Sequence, residues 1–346
     1  MTLEIVKPGL ATTVQDLGRP GYFHLGIPEG GAMDRLALSA ANMLVGNEDG
    51  AACLEAVFMG PEVKFGADMT VAVTGAELPV MLDGAPRDTW TSFSVKAGQV
   101  LSFGFLKEGA RIYIAVSGGI DTPPALGSRS TYVIGALGGF EGRPVAAGDV
   151  IPVGKPMEGS DGRSVPQALR RRPGKPAVLR VLPGLYWHRL TEKSQNAFFD
   201  DDWTVAPEAD RMGYRFRGGQ QMEFVAREQP FGAGSDPSNI VDGCYSYGSI
   251  QVPGGLEPIV LHRDAVSGGG YFTLGAVISA DMDLIGQLQP NAPVKFERVD
   301  MDQALAARKV RKETIEQIRQ ALQKRLTTPG ARLHLKSVWR CPSPNT

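Results

Sequence analysis

Glycine-containing turns cut the chain between Val63 and Val153 into apolar runs no longer than a β-strand. The clearest runs are VKF, TVAVTG, LPVMLDG, FSVKAGQVLSFG, ARIYIAVSGG and GDVIPVG. Short strands at regular spacing, bounded by turn signals, predict a barrel or a sandwich. The same grammar returns after residue 176 in AVLRVLPG, MEFVA, SIQVPGG, PIVLHRD, YFTLGAVISA and PVKFERV. Each region opens with a strand, a Pro-Gly turn (Pro8-Gly9, Pro183-Gly184) and a short helix. The first helix falls near residues 34–45. The second is TEKSQNAFFD, where Thr191 can cap and Ala197 and Phe198 face inward. This parallel points to an ancient duplication.

A length of 346 residues fits about two domains. We divide it into an N-terminal β-barrel domain (1–154), a polar Gly/Pro-rich linker (155–176) and a C-terminal β-barrel domain (177–300). Residues 301–346 add an amphipathic helix and a tail. Ile315, Ile318, Leu322 and Leu326 recur there at helical spacing, with Leu305 and Val310 less regularly upstream. Packing on its own domain is the expected role of this helix, and mobility that of the tail after Pro329. The fold class is mainly β, with a few short helices.

Charge and motif content narrow the function. A net charge of -1 argues against nucleic acid, because phosphate neutralisation needs a basic surface. The run Arg170-Arg171-Arg172 sits in the linker and reads as a solvated charge cluster. Cys53, Cys244 and Cys341 show no CxxC spacing, which fits a reducing cytoplasm and offers neither metal nor disulfide framework. His24, His188, His262 and His334 form no HxH or HExxH pair. No apolar run of about 18 residues and no signal peptide occurs, so a soluble cytoplasmic protein is expected, without a membrane. GxxxxGK[ST], GxSxG and a strand–GxGxxG–helix setting are all absent, which disfavours a self-contained NTPase, serine hydrolase or dehydrogenase.

What remains is four polar blocks beside Gly-rich turns. The first holds Thr13, Gln15, Asp16, Arg19 and His24, then Met33-Asp34 and Asn42. The second is GGIDTPPALGSRST (118–131), where Arg129 lies between Ser128 and Ser130 and its two-pronged donor suits a planar anion. The third is PEADRMGYR (207–215), with Arg211. The fourth is GSIQVPGGLEPIVLHRDAVSGGGYFTLG (248–275), with Gln251, Asp264 and Tyr271. Each has a plain alternative. A lone Asp near Gly (Asp16, Asp34, Asp264) is more often a turn or helix cap than a catalyst. Arg129 and Arg211 are as readily structural ion pairs. His24 and His262 read as scaffold, and Tyr271 as half-buried core.

Seven ordered segments change those odds together: TTVQDLGRPGY, GGAMDRLAL-x-x-AN-x-LVGN, AVSGGID-x-PP-x-LGSRST, GGFEGRP-x-x-AGD, DRMGYR, GSIQVP and VISADM-x-x-x-GQL. By them the chain resembles, over about residues 3–325, the biotin-dependent carboxyltransferase / allophanate hydrolase subunit 2 family, whose members include the C-subunit of 5-oxoprolinase. The resemblance implies two tandem cyclophilin-like β-barrel domains with a cleft lined by the blocks. It implies a polypeptide that is not self-sufficient and works with an allophanate hydrolase subunit 1-like companion. In one setting a protein like the A-subunit of 5-oxoprolinase joins them, and ATP drives the opening of 5-oxoproline to glutamate. In another, a biotin carboxylase and carrier supply carboxybiotin, and carboxyl passes to urea or a related small amide. A third setting is a non-catalytic regulator that antagonises a kinase inhibitor by binding it.

On this resemblance the expected catalytic residues are Arg129, Asp264 and Arg211. The expected substrate-binding residues are Gln15, Asp34, Asn42, Ser128, Ser130, Gln251 and Tyr271. No metal and no covalently bound cofactor is expected; ATP or carboxybiotin would act through the assembled complex. The chain departs from the family pattern at Val266-Ser267-Gly268-Gly269-Gly270, where Gln-Thr-Thr-Gly-Gly is usual, and at Gly30, where Ser is common. Lost hydrogen-bonding groups of this kind alter discrimination strongly.

Overall fold

The structure, a computed structural model, describes residues 1–156 and 161–324. Leu326, His334, Cys341 and the tail after Pro329 lie outside the described residues. The first region folds as two facing antiparallel sheets. One has six strands in the order Val150–Pro152, Thr2–Lys7, Glu62–Phe65, Val100–Phe103, Val80–Leu82 and Ala85–Arg87. The other has five, in the order Thr12–Gln15, Cys53–Val57, Glu108–Val116, Met69–Glu77 and Ser92–Val95.

The strand Glu108–Val116 shows why this half holds together. Its alternation sends Ile112, Ile114 and Val116 between the sheets and Tyr113 and Ala115 to the opposite face. That opposite face is covered by helix α1 (Arg35–Leu44), so the strand is buried on both sides. Asp34 starts α1 by accepting from Ala37 N at 2.9 Å, as a helix N-cap does.

The second region closes into a seven-stranded barrel: Ala177–Pro183, Thr273–Val277, Ser249–Gln251, Ile259–Leu261, Gly213–Arg217, Trp203–Val205 and Pro293–Arg298. Its first and last strands pair in parallel, from Ala177↔Val294 to Val181↔Arg298. Helix α2 (Glu192–Asp200), capped by Thr191, plugs one end with Phe198 stacked on Phe296 at 4.6 Å. A two-stranded ribbon, Asn239–Cys244 with Gly268–Tyr271, stands outside the barrel. The short helix α3 (Met282–Ile285) packs against Met33 from the first region, in the barrel's own core cluster.

Three sequence expectations need correction. MEFVA (222–226) forms no strand; Met222 N donates to Gly255 O, and Phe224 makes an isolated bridge with Leu190. Arg170–Arg172 is not a solvated cluster. Arg170 donates to Val165 O, Arg171 binds Ala280 O and Asp281, and Arg172 pairs with Glu77 and Glu108. Helix α4 (Met301–Lys324) packs on its own barrel only in its first half, through Ala304 and Ala307 against Ile278, Ala280 and Val299; its second half crosses to α1 of the first region, through Ile315, Ile318 and Leu322. Leu305 and Val310 stay exposed. Because Ile318 is 1 % exposed in this seam, Ile318→Val should cost about 0.5–1.5 kcal/mol in urea denaturation. No measurable loss would mean that α4 is not seated on α1.

Candidate active site

The first block begins on the strand Thr12–Gln15 and ends on α1, and the loop between them folds against the second block. Asp16 is the knot. Its Oδ1 accepts from Gly18 N at 2.7 Å and from the hydroxyls of Ser128 and Ser130, and its Oδ2 accepts from Arg129 N at 2.6 Å. Four donors on one carboxylate fix the turn that carries Arg129. Ser128 and Ser130 therefore hold the loop, with their hydroxyl protons given to Asp16.

Arg129 itself faces outward. Its Nη2 donates to Asp121 at 2.7 Å, and the side chain is 36 % exposed. It lines an open cleft of about 590 Å³ together with Asp16, Asn47, Asp121, Lys155 and the Gly118-Gly119 turn. The cleft's cations are Arg129 and Lys155. A cleft with a guanidinium and an ammonium can hold a carboxylate or an amide oxygen.

Behind Asp16 lies a buried polar junction between the two regions. Arg211 grips Asp264 with two bonds, Nε at 2.8 Å and Nη2 at 3.0 Å. Its Nη1 donates to Glu55 at 2.7 Å, and its Nη2 also reaches Gly31 O at 2.8 Å and Gln15 Oε1 at 3.4 Å. Burial alone would lower the Arg211 pKa, but Asp264 and Glu55 outweigh it and hold the pKa above its ordinary value. Every nitrogen of this guanidinium has a partner, so Arg211 organises the site rather than reaching for a ligand. Gly31 makes the contact possible: its φ is +88°, and a Cβ there would sit 2.8 Å from Gly18 N.

Glu55 extends the network inward, accepting from Met33 N at 2.9 Å and Tyr113 Oη at 2.7 Å. Tyr113 Oη in turn accepts from Asp34 N at 2.8 Å. Arg111 lies 3.8 Å from Glu55 and bonds Tyr214 Oη and Gly286 O. Gln287 Oε1 takes the N–H groups of Ala110 and Arg111, and its amide donates to Asp34 Oδ2 at 2.9 Å. Arg19 is buried beside this network. Nε and Nη2 donate to Ala125 O and Ser130 O, and Nη1 has no partner among the described residues. A Cβ on Gly30 would lie 3.2 Å from that Nη1.

Most of the expected site residues meet at two places, and three lie apart. Gln15, Arg211 and Asp264 meet at the junction, with Asp34 at its inner end through Tyr113 and Gln287. Arg129 lines the cleft, with Ser128 and Ser130 buried beneath it, and Asp16 joins all three to the junction. Asn42 is buried on α1, where its amide donates to Ala51 O at 2.7 Å and holds the following loop. Gln251 is buried on the barrel wall, and Tyr271 is 46 % exposed on the ribbon, its backbone N–H given to Tyr245 Oη at 2.7 Å. Neither bonds the junction among the described residues. His262 is buried with Nε2 3.1 Å from Met282 O, and burial drives its pKa well below the usual value, so it is a neutral scaffold residue. No group of three His, Cys, Asp or Glu side chains suited to a metal occurs among the described residues, and no helix there is long and apolar enough to cross a membrane.

Burial, then the neighbouring Asp283, pushes the Asp34 carboxyl up to about 7. A carboxyl raised in the folded state gives its full stability below the unfolded value near 4 and loses it as pH rises through about 7. The stability difference between the wild type and Asp34→Asn should therefore move against the wild type between about pH 5 and pH 8. The expected size is on the order of 2–3 kcal/mol. A difference that stays constant over that range in chemical denaturation would show that Asp34 remains ionised throughout.

Residues 25–298 match the family model for the carboxyltransferase domain, subdomain A and B. The chain is 37 % identical to the 5-oxoprolinase C-subunit of Escherichia coli (strain K12), covering 91 % of this chain and 97 % of that one. It is 32 % identical to urea amidolyase of Saccharomyces cerevisiae, covering 85 % of this chain and 16 % of that one. Among solved structures, Kluyveromyces lactis urea carboxylase superposes with a TM-score of 0.85 at 30 % identity, covering 97 % of this chain and 30 % of that one.

Proposed function

The chain belongs to the carboxyltransferase domain family, subdomain A and B, and on that premise we propose that it is one polypeptide of an ATP-dependent 5-oxoprolinase-type complex. One observation carries this reading: the match runs over 97 % of the E. coli 5-oxoprolinase C-subunit, a separate polypeptide, but over only 16 % of the yeast urea amidolyase. The chain would open a small cyclic amide, 5-oxoproline, to glutamate together with an allophanate hydrolase subunit 1-like companion and an A-subunit-like protein. It would do so in the cytoplasm. ATP would be consumed by the assembly.

The geometry gives each group a part. Arg129, with its Nη2 steadied by Asp121, would hold the substrate carboxylate in the cleft. Asp16, Ser128 and Ser130 would keep that guanidinium in place. The Arg211–Asp264–Glu55 junction would fix the two regions so that the cleft keeps its shape. Lys155, in the same cleft, would meet charge developing on the amide oxygen, since the N–H groups of Gly118 and Gly119 are already given to Asn47 Oδ1 and Val116 O.

A second reading, transfer of carboxyl from carboxybiotin to urea or a related amide, is favoured by the structural likeness to urea carboxylase. The same cations would then face the carboxyl in transit, and biotin would arrive on a separate carrier. The discriminating experiment purifies the complex formed with the companion and supplies the A-subunit-like protein with 5-oxoproline, or a biotin carboxylase and biotinylated carrier with urea and bicarbonate. ATP hydrolysis stimulated by 5-oxoproline alone supports the first reading; stimulation by urea alone replaces it with the second. A stable complex that turns over neither would move the function to regulation by binding.

A further inference from the structure

Helix α4 leaves a second cationic cleft where it crosses the barrel. The cleft measures about 160 Å³ and is lined by Arg171, Arg180 and Arg311 over a floor that includes Leu36, Ala280 and Ala307. The three guanidinium groups come from separate places: the segment before the barrel, its first strand, and α4. Their side chains are 27 %, 31 % and 21 % exposed, so solvent reaches all three.

Among the described residues, only two carboxylates bond these three cations. Asp281, 1 % exposed, accepts from Arg171 Nη2 at 2.8 Å and from Arg180 Nε and Nη2 at 2.8 and 2.7 Å. Asp283, 4 % exposed, accepts from Arg311 Nε at 2.6 Å and from Arg35 N at 3.0 Å. Glu297 acts on Arg180 only through space. Arg180 Nη1 and both Nη atoms of Arg311 have no acceptor among the described residues. Ion pairing that pins α4 and the preceding segment to the barrel accounts for Asp281 and Asp283. It does not account for three guanidinium groups on two bonded acids, or for the open donor edge of Arg311.

We propose that this cleft binds one phosphate-sized oxyanion, gripped by Arg311 and Arg180 with Arg171 at its rim. A guanidinium edge matches tetrahedral oxyanion oxygens in two-pronged fashion, and two such edges over an apolar floor favour the anion over water. Pockets for larger organic ligands start near about 300 Å³, and this cleft is smaller, so a single small anion fits where a nucleotide does not. Because Asp283 also holds the first N–H of α1, filling the cleft would be felt at the helix that backs the candidate site.

The test is calorimetric titration of inorganic phosphate into the full chain, with ionic strength held constant by chloride. A single saturable site is expected, weakened by at least about tenfold in Arg311→Gln. Arg180→Gln is the second variant, since Asp281 keeps Arg171 as a partner, and it should weaken binding likewise. Thermal melting of each variant checks that it is folded. No saturable heat with the wild type, or unchanged affinity in a folded variant of either arginine, would overturn the proposal.

Discussion

Arg211→Met should destabilise the protein by about 3–5 kcal/mol, the largest stability effect expected of any single replacement here. The side chain is 15 % exposed and sits between Asp264 at 6 % and Glu55 at 1 %. Removing the cation leaves two carboxylates facing each other across a space with little water. An exposed ion pair would be worth under about 1 kcal/mol; burial makes the difference, because the orphaned charge keeps its desolvation cost and loses its attraction. Arg111, 3.8 Å from Glu55, softens the loss on that side. Arg19 acts on Asp264 through space but makes no hydrogen bond to it, so both Asp264 oxygens lose the Arg211 nitrogens they bind. Adding Asp264→Asn to Arg211→Met should therefore recover part of the loss. Urea denaturation at neutral pH reads both variants. A loss below about 1 kcal/mol for Arg211→Met would place water in the junction and remove its role in fixing the two regions.

Arg129→Ala should leave stability nearly intact and lower kcat/KM of the assembled complex by about 100-fold. The two halves of that statement have separate causes. The Arg129–Asp121 pair is 36 % and 56 % exposed, so its loss costs under about 1 kcal/mol. A charge-assisted donor aimed at substrate in a cleft is worth about 2.7 kcal/mol in transition-state binding, which converts to that hundredfold. Arg129→Lys should recover only part of it, because an ammonium cannot present two parallel donors. Melting temperature and steady-state kinetics on the same preparations separate the roles. Full activity in Arg129→Ala would return Arg129 to a surface ion pair.

Much of the scaffold was legible because its rules are local. Asp34 and Thr191 each stand one residue before a helical pattern, and both cap the helix that follows. Alternation in ARIYIAVSGG marked the central strand, although not that its second face would be covered by α1. Legibility failed where partners are distant in sequence. Glu55 was passed over inside CLEAV, yet a carboxylate in the middle of an apolar strand is itself a signal, since such a group must find a buried cation. That cation, Arg211, lies 156 residues away. Arg170–Arg172 showed its charge but not the acids that would meet it, from Glu77 in the first region to Asp281 beside α3. MEFVA had strand composition, but its backbone is drawn to the Gly255 turn. Asn42 had the right chemistry for an amide, and its position on the inner side of α1 turns it toward the scaffold.

The most direct test of the functional account is glutamate formation from 5-oxoproline and ATP by the companion and the A-subunit-like protein, with and without this chain. The account predicts turnover that requires this chain and disappears when ATP is omitted. Equal turnover without it, or none with all the proteins assembled and folded, would contradict the account.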